Sequence, residues 1–85
     1  MDDPLDLRGL KCPLPALMTK KALATRAPGA VLTVLASDPM ATVDIPHMCH
    51  GEGHTIEGVT ARDGYNEFRI VRGSAAAPSP DQSAK

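Results

Sequence analysis

The stretch "LDLRGLKCPLPALMTKKALATRAPGAVLTVLAS", residues 5–37, decides the fold. Leu5-Asp6-Leu7-Arg8 alternates apolar and polar, the two-residue period of a strand, and Gly9 breaks it. The spacing predicts a helix over Pro13–Arg26. Pro13 and Pro15 suit a first helical turn, where the backbone N–H has no intrahelical acceptor. Ala-Leu-Met-Thr-Lys-Lys-Ala-Leu-Ala has good helix propensity, and Pro28-Gly29 stops it. Ala16, Leu23 and Ala27 line up as its apolar stripe, with Lys20 close beside. Ala30–Ser37 is apolar on both parities, which predicts a central strand with much of both faces covered. Strand, helix and strand in succession predict two parallel strands joined by a right-handed crossover.

Working outward, Ser37-Asp38-Pro39 reads as a turn. A short second helix is expected from about Thr42–Asp44, with Pro46 in its first turn and Gly51 and Gly53 ending it. Ile45, Met48 and Cys49 share one apolar stripe on it. Residues 54–62 and 65–72 flank Asp63-Gly64, a strong hairpin signal. Asn66, Phe68 and Ile70 alternate with Glu67, Arg69 and Val71, giving one apolar face. The expected class is α+β: a two-layer α/β sandwich in the order βαβαββ, a four-stranded mixed sheet with two helices on one face. The domain is expected over residues 1–72. Residues 73–85, rich in Pro, Ser and Ala with no core residue, are expected to be a disordered tail.

The chain has 85 residues, enough for one small core. Tyr65 and Phe68 are its only aromatics, so that core must be aliphatic. A stacking platform for single-stranded nucleic acid is missing, and the net charge of −1 argues against a polyanion partner, so no direct nucleic-acid contact is expected. The charge is uneven: Leu7–Arg26 holds five basic residues (Arg8, Lys11, Lys20, Lys21, Arg26) and no acid. "MDDPLDL" lacks the apolar run of a secretory leader, and no segment is long enough to span a bilayer. The cytoplasm is the expected location, with both thiols, Cys12 and Cys49, free rather than bridged.

Cys12 sits where the first helix is expected to begin. A helix N-terminus carries partial positive charge and free N–H donors, so a sulfur anion there is stabilised. Arg8 and Lys11 are expected to add to that field and lower the thiol pKa. Pro13 and Pro15 fix their own φ and restrict the residue before them, which pins the cysteine. A dithiol redox motif would place a second thiol three residues on, and that position is Pro15. Sulfur held on Cys12 therefore meets no local resolving thiol, a logic suited to a group carrier.

"DLRGLKCPLP", followed by "SDPMATVDIPHMC", resembles the TusA/SirA-like family of small sulfur-carrier proteins, from about Leu5 to Arg72. The resemblance implies a two-layer sandwich and a persulfide on Cys12. It also implies a donor of the cysteine desulfurase or rhodanese type and an acceptor protein, as in tRNA 2-thiouridine synthesis or sulfur oxidation. The chain would then be a sulfurtransferase-like carrier rather than a stand-alone catalyst, with no cofactor. Lys20, Lys21 and Arg26 would form a basic docking face for acidic partners. The alternatives are an RNA-binding module and a thiol redox sensor using Cys12 and Cys49.

Other conspicuous residues have plainer readings. Cys49 is expected in the core. His47, His50 and His54 have no zinc-site spacing with a second ligand pair, so no metal is expected. Asp38 reads as a turn residue. Asp44 reads as a first-turn helix acid, where negative charge is favourable.

Overall fold

The computed structural model describes residues 4–73. Six elements follow in order: β1 Leu5–Asp6, α1 Leu14–Ala24, β2 Val31–Ala36, α2 Ala41–Glu52, β3 Thr55–Arg62 and β4 Tyr65–Val71. They form a four-stranded sheet in the order β1-β2-β4-β3. β1 runs parallel to β2, and β4 is antiparallel to both β2 and β3. This is the expected α+β sandwich with a mixed sheet.

The strand period decides which side chains enter the core. Leu32, Val34 and Ala36 of β2 are buried, and their register partners are Ile70, Phe68 and Asn66 of β4. Ala16 and Leu23 of α1 and Ala41, Ile45 and Cys49 of α2 close the same core. The opposite face of the sheet is open. Val31 is exposed, Thr33 and Leu35 are half-buried, and Arg69 reaches Glu57 there at 2.8 Å. The expectation that β2 is covered on both faces is thus corrected: it is central, but only one side carries helices. Its apolar residues on the open side conceal the alternation.

Helix boundaries also shift. α1 starts at Leu14 with Pro13 at the N-cap, and its buried stripe is Pro15, Ala16, Thr19 and Leu23; Ala27 is exposed beyond its end. The Thr19 hydroxyl satisfies itself by donating to the Pro15 carbonyl at 2.7 Å. α2 begins at Ala41, so Pro46 lies inside the helix rather than in its first turn. It ends at Gly53, whose φ of 82° is the left-handed conformation that glycine adopts without strain. The hairpin turns at Gly64, with φ 86°, and β3 carries a bulge between Ile56 and Gly58.

Gly73, expected to open the tail, is tied to the domain: its N–H donates to His54 Nδ1 at 3.0 Å. A Cβ there would stand 1.8 Å from the Gly53 carbonyl oxygen, so only glycine fits. The rest of the expected tail, residues 74–85, lies outside the described residues.

Candidate functional site

α1 follows β1, and α2 follows β2, the parallel neighbour of β1. Both helices therefore start at the same end of the sheet. The loop after β1 carries Cys12 and the turn after β2 carries Asp38, so the two segments are brought side by side. Gly9 N–H donates to Ser37 Oγ at 2.8 Å, and Cys12 N–H donates to Asp38 Oδ2. The other Asp38 oxygen accepts from Met40 N–H at 3.1 Å. These two N–H groups hold the Asp38 carboxyl below its usual pKa, with a smaller contribution from the charge of Lys11.

Cys12 is exposed and its peptide bond to Pro13 is cis. Its Sγ–H donates to Asp44 Oδ2 at 2.7 Å. Asp44 lies in the first turn of α2, where the helix dipole favours a carboxylate. The sulfur thus faces a negative group. That hydrogen bond first, then desolvation and the charges of Asp44 and Asp38, push the Cys12 thiol pKa up.

The expected positive field around Cys12 is corrected on this point. Arg8 is held by Asp6 through two contacts of 2.8 Å, and its guanidinium lies 4.9 Å from the Tyr65 ring centre. Arg8 in turn holds the Asp6 carboxyl down at about 2. Lys11 acts on Asp38 rather than on the thiol.

The two prolines separate in role. Pro13 is exposed beside the thiol, whereas the Pro15 ring, in the first turn of α1, is fully buried. Position 15 therefore projects into the core and offers no room for a resolving thiol at the surface. Cys49 is also buried, and desolvation pushes its thiol up to about 11. A buried thiol that stays protonated is a poor nucleophile, which counts against a Cys12–Cys49 sensor.

Cys12 opens onto a groove of about 420 Å³ between the two helices. Pro13, Leu17 and Lys20 line it from the first side and Asp44, His47 and Met48 from the second. Lys20 reaches Glu52 across it at 3.3 Å. Of the expected basic trio only Lys20 lines the groove; Lys21 is exposed on α1, and Arg26 is half-buried past its end. The surface near the thiol is instead apolar. Leu14, Leu17 and Met18 are 46%, 54% and 42% exposed, and with Lys21 they follow the three- and four-residue spacing of one helix face. Val43, in the first turn of α2, is 57% exposed. The signal in the sequence was an excess of large apolar residues on α1 beyond its core stripe.

His54 accepts from Gly73, and burial together with the charge of Arg72 lowers its pKa. His47 and His50 are exposed. Among the described residues no group of three or more His, Cys, Asp or Glu is placed to hold a metal ion, and no helix is long and apolar enough to cross a membrane.

Comparison with known proteins gives a consistent picture. Residues 4–72 match the family model described as sulfurtransferase TusA. Two curated relatives from Neisseria meningitidis, one of serogroup A and one of serogroup B, are each named "Putative sulfur carrier protein". Both are 50% identical over 60 residues, 71% of this chain and 81% of their own length. A crystal structure of a SirA-like protein from Desulfitobacterium hafniense superposes with a TM-score of 0.72 at 34% identity. It covers 84% of this chain and 97% of its own.

Proposed function

Because the chain belongs to the sulfurtransferase TusA family, we propose that it is a sulfur carrier holding sulfane sulfur as a persulfide on Cys12. One observation carries the reading: the single exposed thiol stands at the mouth of an open groove, while the other cysteine is buried. Cargo on Cys12 is reachable by a partner and out of reach of a second thiol of the described chain.

The donor is a protein persulfide of the cysteine desulfurase or rhodanese type, and the acceptor is a second protein. Transfer to tRNA 2-thiouridine synthesis or to sulfur oxidation both fit this scheme. The cytoplasm, where thiols stay reduced, is the compartment it needs.

Partners dock on the apolar strip Leu14, Leu17 and Met18, with Lys21 and Lys20 at its border. Such a surface is small and suits transient contacts. Leu17→Asp is expected to slow transfer from a donor protein by about tenfold or more, the loss of one central interface anchor. The urea midpoint should stay the same, because Leu17 is exposed and leaves the core intact.

The test of the reading is sulfur loading. The reduced protein is incubated with a desulfurase and cysteine, then digested and mapped by mass spectrometry. One added sulfur on the Cys12 peptide is expected. Sulfur on the Cys49 peptide instead, or on neither, would overturn the reading.

A further inference from the structure

We propose that Asp44 is the acid–base group of the relay, taking the Cys12 proton when sulfur is loaded and returning it when sulfur leaves. The inference rests on the carrier reading. It stands on geometry: Asp44 Oδ2 lies 2.7 Å from Sγ, the reacting atom. The neighbouring acids are otherwise engaged. Asp38 accepts backbone N–H groups on both of its oxygens, and Glu52 is paired with Lys20. Asp44 is placed by the first turn of α2, a regular element, so the carboxylate side of the contact is fixed by the helix. The raised thiol pKa agrees with a resting state in which the proton sits on sulfur.

The loading step balances without an external oxidant. The donor carries R–S–SH. Cys12 gives its proton to the Asp44 carboxylate, and the thiolate attacks the outer, sulfane sulfur. A Cys12 S–S bond forms, the donor S–S bond breaks, and the donor thiolate leaves with the proton that Asp44 took from Cys12, which restores the carboxylate. The net change is R–S–SH + Cys12–SH → R–SH + Cys12–S–SH. Sulfur is neither oxidised nor reduced overall.

Unloading reverses it. An acceptor thiol gives its proton to Asp44, its thiolate attacks the outer sulfur, the Cys12 S–S bond breaks, and the departing Cys12 sulfur takes that proton from Asp44. Asp44 also guards the empty carrier, because a protonated thiol reacts slowly with adventitious electrophiles.

The other charged groups facing this pair are few. Lys20, His47 and Glu52 line the groove from the helices. Asp38 and Lys11 stand on the loop side, and Arg8 is tied to Asp6. Asp38 also acts on the thiol through its charge, but the hydrogen bond to Sγ is that of Asp44, and Asp44→Asn removes this carboxylate while leaving Asp38 in place.

The experiment compares wild type, Asp44→Asn and Asp44→Glu as full chains. First, the rate of Cys12 alkylation is followed against pH with iodoacetamide and mapped to its peptide. Asp44→Asn is expected to shift the profile to lower pH and to raise the rate several-fold at neutral pH. Second, protein loaded from inorganic polysulfide is discharged to glutathione. Asp44→Asn should discharge about a hundredfold more slowly, the usual worth of a placed general acid, and added acetate buffer should restore part of the rate. Asp44→Glu should keep a carboxylate-dependent profile and discharge faster than Asp44→Asn.

An Asp44→Asn protein with a wild-type alkylation profile overturns the proposal, as does wild-type discharge without buffer dependence. A wild-type protein that takes up no sulfur at all overturns the carrier reading instead, and the two failures are therefore distinct.

Discussion

Cys12→Ser is expected to lose sulfur loading entirely while unfolding at the same urea concentration as the parent chain. The hydroxyl of serine cannot form a persulfide, and Cys49, buried with its thiol pushed up to about 11, cannot substitute for it. The stability side of the prediction follows from exposure. Cys12 contributes no surface to the core, and the backbone bond from its N–H to Asp38 survives the substitution. Mass mapping after treatment with a persulfide donor reads the first quantity, and urea denaturation reads the second. Loading that persists at the wild-type level would mean that the sulfur sits elsewhere. A large fall in the urea midpoint would show that Cys12 is structural.

Phe68→Ala has the opposite signature. Phe68 is fully buried in β4, opposite Val34 of β2 and Val59 of β3, and it is the largest side chain of the core. Truncation removes its apolar area and leaves a cavity that neighbouring aliphatic residues only partly fill. The cost is about 3–5 kcal/mol. A domain of this size is stable by on the order of 5–10 kcal/mol, so the variant should lose about half of its stability. Phe68→Leu should recover most of the loss. Urea midpoints of the three proteins check this, and a shift for Phe68→Ala below about 1 kcal/mol would contradict the packing described here.

Most of the fold was legible because it depends on periodicity. The strand-helix-strand unit of residues 5–37 and the Asp63-Gly64 hairpin are local patterns, and the structure forms both. What failed depended on contacts between distant segments. Pro46 was expected in the first turn of α2 because proline is favoured there; the helix starts at Ala41 and holds Pro46 in its interior. β2 looked covered on both faces because Val31 and Leu35 are apolar, yet they face the open side of the sheet.

The candidate site divided in the same way. Cys12 and its prolines were visible as a compact motif. Asp38 and Asp44 were visible only as a turn residue and a helix-start acid, and both do hold those positions. Their contacts with Cys12 span 26 and 32 residues. The sign of the thiol shift was misread for that reason. Arg8 and Lys11 are near Cys12 in sequence, whereas the group in contact with its sulfur is the distant acid Asp44. The parallel crossover itself held the clue, since it sets the start of α2 beside the loop after β1.

The shortness of β1 has a kinetic meaning. That strand is a two-residue edge, extended by one further bond from Leu7 N–H to the Leu35 carbonyl. Releasing it exposes Leu7 and the partly buried Leu5 and Leu10, whereas releasing β2 or β4 dismantles the core. The segment that presents Cys12 can therefore open as a small cooperative unit long before the domain unfolds. Amide exchange at Leu7, Gly9 and Cys12 should be faster than at Leu32 and Val34. The cargo-bearing loop is then able to adjust to two differently shaped partners in turn while the rest of the domain keeps its native packing.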